Sequence, residues 1–224
     1  MEKTWLDDEK FIKKEYNTHK KLISKHLSDV ENIKDYHSVW SNNYLDFVPY
    51  EWFIDYGQKK PPKIFKTEPN GKIMNKIENR YKDNLLYYSN WINSNDVENK
   101  FKMFRIYLYN QNYRIRLSYD TPDLDLGIIL NYIEYYFLDG NNVQKVLYFN
   151  KDNDMGDIFF ISEYKYDGEN RIKSIIKNGY YYGVKNIIPE SIVRFEYTNG
   201  KATIFHKQLK LNGDFMEEII FQEK

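Results

Sequence analysis

The sequence predicts an α+β protein, with an N-terminal helix packed on a large curved antiparallel β-meander built of hairpins. Three observations lead there. Apolar residues recur every three or four positions over residues 7–33, the period of a helix face. From about residue 64 the period becomes two, as in a half-buried strand. Six of the ten glycines (Gly71, Gly140, Gly168, Gly179, Gly200 and Gly213) follow Asn or Asp, and such pairs supply the positive φ of tight hairpin turns. A chain of 224 residues with 42% apolar content has core material enough for one domain. The reading is a single domain over 1–224, helical and aromatic over 1–58 and sheet over 64–222.

The helix comes first. Phe11, Ile12, Tyr16, His19, Ile23, Leu27, Val30 and Ile33 form one stripe, and Lys13, Lys14, Lys20, Lys21 and Lys25 fall mostly on the other side. Asp7, Asp8 and Glu9 suit its N-terminus, where negative charge meets the dipole. Residues 36–56 follow, with Tyr36, Trp40, Tyr44, Phe47, Tyr50, Trp52, Phe53 and Tyr56, three acids (Asp46, Glu51, Asp55) and no Lys or Arg after Tyr36. Pro61-Pro62 then interrupts regular structure and marks entry into the sheet.

The hairpins come next. Residues 104–119 read as two strands around Asn110-Gln111-Asn112. Alternating segments flank Asp139-Gly140 (133–138 and 143–149), Asp167-Gly168 (160–166 and 171–176), Asn199-Gly200 (192–197 and 202–211) and Asn212-Gly213 (209–211 and 215–221). Type I′ turns are expected at Asp167-Gly168 and Asn199-Gly200. Gly140, Gly168 and Gly200 stand 28 and 32 residues apart, a loose internal repeat of hairpins. Within it, Tyr164-Lys165-Tyr166-Asp167 followed by Asn170-Arg171-Ile172 resembles the tyrosine-aspartate (YD) repeat of large bacterial toxin shells. The resemblance covers about twelve residues, lacks the Gly that usually precedes the Arg, and implies a β-hairpin with no activity attached.

Charge and composition narrow the function classes. There are 33 basic and 33 acidic residues, 17 and 16 of them within residues 1–100, so neither half is a basic arm for neutralising phosphates. That argues against a nucleic-acid partner. Without cysteine there is no disulfide, thiolate metal site or Cys nucleophile. The charged N-terminus has no apolar stretch of a signal peptide, and no apolar run approaches the ~20 residues of a membrane helix. The expectation is a cytoplasmic protein with no membrane association.

Candidate chemistry is sparse. His19 and His26 are seven apart, two turns along one helix side, where metal pairs usually take i, i+4; His37 and His206 have no evident partner in sequence. Two loops gather carboxylates, Asp120, Asp123 and Asp125 in one and Asp152, Asp154 and Asp157 in the other. The second resembles a calcium loop, but Gly156 is one place late and Ile161 occupies the closing position of the bidentate Glu. No phosphate-binding glycine loop or nucleophile elbow is present. Metal and cofactor are therefore expected to be none, and Lys59, Lys60 and Lys63 read as a solvated linker. The best binding candidate is the aromatic segment, at Tyr50, Glu51, Trp52 and Tyr56. Large rigid rings beside acids are common at interfaces, and the acids are costly to bury unpaired. Exposure is expected at Tyr50-Glu51-Trp52 and burial at Trp40. The functional expectation is a non-enzymatic intracellular binding protein, plausibly a bacterial immunity-type protein that binds and neutralises a partner toxin. The alternative is a hydrolase or other enzyme with acidic residues in the concavity of a curved sheet.

Overall fold

The computed structural model describes residues 5–45, 47–54, 58, 60–69, 75–93, 102–121, 127–152, 156–181, 186–209 and 214–223. Helices α1 (Leu6–Lys21), α2 (Ile23–Glu31) and α3 (Glu51–Ile54) accompany an open antiparallel sheet of thirteen strands. These are β1 (His37–Ser41), β2 (Ile64–Phe65), β3 (Asn75–Lys82), β4 (Leu85–Asn93), β5 (Met103–Tyr109), β6 (Tyr113–Asp120) and β7 (Ile129–Asp139). They continue as β8 (Asn142–Asp152), β9 (Gly156–Tyr166), β10 (Ile172–Tyr181), β11 (Asn186–Thr198), β12 (Lys201–Leu209) and β13 (Phe215–Gln222). Strands β3 to β13 follow one another in chain order; β1 lies between β3 and β2. The meander expected from residue 64 is therefore extended by a strand from the aromatic segment. Trp40 pairs with Glu78 on one side and Phe65 on the other.

Turn chemistry accounts for much of this order. Asn199 and Gly200 have φ of 53° and 77°, the double positive φ of a type I′ turn. Asp83 and Asn84 make the same pattern between β3 and β4 without any glycine, at 50° and 62°. The turn expected at Asp167-Gly168 is different. There the positive φ falls on Asn170, at 64°, and not on Gly168. The Asp167 carboxylate accepts from the N–H groups of Glu169 and Arg171 and from the Arg171 side chain, so the loop closes around that side chain. Asn178-Gly179 is no turn at all. It lies inside β10 at a register shift, where an added Cβ would stand 2.2 Å from the carbonyl oxygen of Phe159.

The single helix expected over 7–33 is two helices. Leu22, at φ −103° and ψ 12°, separates α1 from α2. No described helix is long and apolar enough to cross a membrane.

Two compact units divide the chain. The first gathers 1–13, 110–114 and 134–224. Its core includes Phe159, Ile175, Ala202 and Ile204, each with no exposed surface. Trp5 packs 5.4 Å from both Phe159 and Tyr180, and Phe11 meets Tyr135 edge-on. Glu9, buried in the same place, accepts hydrogen bonds from the Tyr180 hydroxyl and the Lys13 ammonium. The second unit gathers 14–109 and 115–133. In it β6 is buried over five consecutive residues, Ile115 to Tyr119, so both of its faces are covered. Ile115, Leu117 and Tyr119 share one face; Arg116 and Ser118 share the other.

Candidate functional site

The aromatic segment folds inward onto the Arg116 face. Phe47 packs 5.0 Å from Tyr107, and Trp52 meets Phe53 edge-on. Glu51 and Trp52 are 1% and 6% exposed, whereas Trp40 is half-buried. The expectation of exposed rings at Tyr50-Glu51-Trp52 is thus corrected for Trp52, as is the order of burial between Trp52 and Trp40. Tyr50 is half-buried with φ 64°, and Tyr56 lies outside the described residues.

The reason is a counter-charge from far along the chain. Arg116 on β6 donates to Glu51 Oε1 at 2.6 Å, and both side chains are 1% exposed. The backbone N–H of Phe47 donates to Oε2 at 2.7 Å. Burial alone would push the Glu51 carboxyl up. The Arg116 guanidinium and the Phe47 hydrogen bond outweigh it and hold the group below the usual carboxylate range. Beside this pair Arg105 on β5 stacks 3.4 Å over the Tyr44 ring and donates to the Tyr132 hydroxyl at 2.5 Å. Burial pushes the Tyr44 phenol up, so it stays protonated. A polar chain crosses the neighbouring strands. Asn79 donates to Ser41 and accepts from Ser89, whose hydroxyl meets that of Tyr107 at 3.2 Å. Glu51, Arg116, Asn79, Ser89 and Tyr107 are closed to solvent and bond to one another or to the backbone, whereas the buried Tyr44 hydroxyl has no hydrogen-bond partner among the described residues. Their chemical effect is to fix the segment's position.

The two helix histidines, which seven-residue spacing would leave two turns apart, are brought together across the break at Leu22. His19 Nδ1 lies 3.0 Å from His26 Nε2, and both rings are buried. Burial, then the neighbouring His26, lowers the His19 pKa to about 4. Burial also lowers His26, against the pull of Asp29. The Glu15 carboxylate lies 4.0 Å from His19 Nε2. The pair is neutral near pH 7 and holds one N–H···N bond.

The remaining candidates stay separate. His37 stacks on Tyr81 at 5.4 Å, and His206 lies half-buried on β12 between Val193 and Glu218. Asp120 is half-buried, which raises its pKa, and Asp157 faces Lys13 at 3.4 Å. Asp123, Asp125, Asp154 and the Asp152 side chain lie outside the described set. Among the described residues no three His, Asp or Glu side chains gather as metal ligands. Lys60 and Lys63 are exposed, the latter 5.8 Å from the Phe65 ring; Lys59 is outside the described set.

An open apolar surface lies elsewhere, on β13, one of the two edge strands of the sheet; β2, with Ile64 exposed, is the other. Phe215 and Ile219 are 59% and 61% exposed, and the strand has β12 alone as its neighbour among the described strands. Lys207 sits 4.7 Å over the Phe215 ring, and Arg194 reaches Glu217 at 3.2 Å while stacking on Phe205. Sequence reading identified β13 as a strand but not as an edge, because an edge is defined by which strand comes next to it in space. Arg116 and Arg105 were missed as well. Their signal was two arginines set among apolar and aromatic residues in strands read as hairpin partners.

No protein-family model matches the chain, and no curated protein or solved structure matches it either.

Proposed function

We propose that this is a non-enzymatic intracellular protein that works by binding another polypeptide, of the bacterial immunity type that holds and neutralises a toxin. The observation that carries this reading is the exposed edge strand β13, with two large apolar side chains more than half in water. Edge strands with exposed apolar residues recruit other chains unless something blocks them. A second support is the fate of the buried polar groups. Glu51, Arg116, His19 and His26 are each engaged with a protein partner, in the manner of a scaffold.

The test is co-expression with the product of the gene adjacent to its own. The expected outcome is a complex of fixed stoichiometry by light scattering, and restored growth when that product alone is toxic. Separate elution, with no change in growth, would overturn the immunity reading.

A further inference from the structure

We infer that β13 accepts a further strand from its partner, and that this strand carries two adjacent basic residues between apolar ones. The inference rests on the binding reading above and names the chemistry of the partner.

The backbone gives the mode. β13 pairs with β12 from Leu209↔Phe215 to Thr203↔Gln222, and its other side meets no described strand. Alternate N–H and C=O groups of an edge strand point outward, and an added strand satisfies them in register. Eight residues are long enough for such a ladder.

The side chains give the partner. Phe215, Glu217 and Ile219 share one face, continuous with Lys207, Phe205 and Arg194. Met216 and Glu218 lie on the other, opposite Gln208 and His206. Between Phe215 and Gln222 there are two glutamates and no Lys or Arg. Residues placed directly opposite on an added strand come within about 5 Å at Cβ, where opposite charge is favourable and like charge is not. Lysine or arginine opposite Glu217 and Glu218, with apolar residues opposite Phe215, Met216, Ile219 and Ile220, satisfies the six positions from Phe215 to Ile220. Glu217 already holds Arg194, so Glu218 has the stronger claim on an incoming cation.

The same pattern disfavours a second copy of this chain. A two-fold antiparallel pairing centred on Glu217-Glu218 sets acid against acid. Shifting its centre to Ile219 sets each Glu against an apolar residue, which desolvates the carboxylate without a counter-charge. A basic strand has neither fault.

The experiment uses the full chain and two eight-residue capped peptides of Val and Ile, one with Lys-Lys at its centre and one with Glu-Glu. Binding is read by fluorescence anisotropy, and β13 amide protection by NMR hydrogen exchange. The Lys-Lys peptide should bind at least about tenfold tighter than the Glu-Glu peptide and should slow exchange on β13. Glu218→Lys, checked for an unchanged melting curve, should weaken the Lys-Lys peptide several-fold and strengthen the other. Ile219→Pro, whose ring interrupts regular strand geometry, serves as a second block of the edge and, with an unchanged melting curve, should abolish Lys-Lys peptide binding. Equal binding of both peptides, no binding at millimolar peptide, or Glu218→Lys without effect would overturn the inference. So would a dimer of the chain alone, seen by light scattering and abolished by Ile219→Pro, since a second copy would then hold the edge. If the peptides fail while the co-expressed complex forms, the strand chemistry is wrong and the binding reading stands. If the peptides behave as expected while co-expression gives no complex, the adjacent gene product is not the partner and the immunity reading falls.

Discussion

Residues 36–54 and strand β13 invite comparison because their sequences suggest the opposite of their environments. The first is rich in rings and acids, the composition of an interface, and its Tyr44, Glu51 and Trp52 are enclosed. The second has ordinary alternation with two glutamates, and it is open. What separates them is a partner supplied from elsewhere in the chain. Glu51 can be buried because Arg116 is buried with it, and Phe215 stays exposed because no described strand comes to lie beside β13. Composition describes what a segment is able to do, and topology decides which of its options is used.

The sharpest way to break the comparison is at the buried pair. Glu51→Ala leaves Arg116 charged and enclosed, and breaking such a pair costs about 3–5 kcal/mol. The measurement is the shift in urea midpoint. Replacing both partners, as Glu51→Leu with Arg116→Met, should recover much of the loss. A cost below about 1 kcal/mol for the single change would mean that Glu51 is solvated and the contrast with β13 is false.

Trp52→Ala should cost about 3–5 kcal/mol, as for other buried aromatic truncations. Trp40→Ala, at a half-buried site, should cost less in the same denaturation experiment. The reverse order would return Trp52 to the surface.

Titration sharpens the comparison through the histidines. His19 has a folded pKa of about 4 against an ordinary value of 6.5. Between these values the unfolded chain binds more protons, so stability rises with pH and is lost as pH falls from about 6.5 towards 4. His19→Gln should flatten that slope when midpoints are followed across the window. Glu51 acts at lower pH with the same sign, because a lowered carboxyl pKa stabilises the fold above its unfolded value and ceases to as acid protonates it. A stability profile with no decline between pH 6.5 and 4 would show that the two imidazoles are not enclosed.

The smallest effect belongs to β13. Ile219→Lys should change stability by no more than about 0.5 kcal/mol, because the side chain is already in water. A thermal scan showing a large loss would mean that β13 is part of a core.

Much of the fold was readable because its signals are local. The turn at 110–112 and the I′ turn at Asn199-Gly200 depend on a few adjacent residues, and period-two alternation marks β7 to β13. The failures have physical causes too. Gly168 follows Asp, but the Asp167 carboxylate, binding two backbone N–H groups, organises a longer loop. Gly179 is required by the approach of a neighbouring strand, which its own dipeptide does not announce. The helix stripe runs unbroken through Leu22, so the bend that joins His19 to His26 had no marker such as Pro or Gly. The expected exposure of Trp52 failed for the same reason on a larger scale, since the counter-charge that lets Glu51 be buried comes from Arg116, 65 positions away.

The separation of Glu51 from its counter-ion also bears on how the protein is made. The two residues are 65 positions apart. At about 5–20 residues per second, Arg116 is synthesised roughly 3 to 13 s after Glu51. Until then the nascent chain carries a Glu51 carboxylate with no buried counter-charge, and Tyr44 and Phe47 wait for Arg105 and Tyr107 on β5, which are made only late in the interval. The finished molecule hides the Tyr44 and Trp52 rings, but the ribosome-bound one presents them to chaperones and proteases.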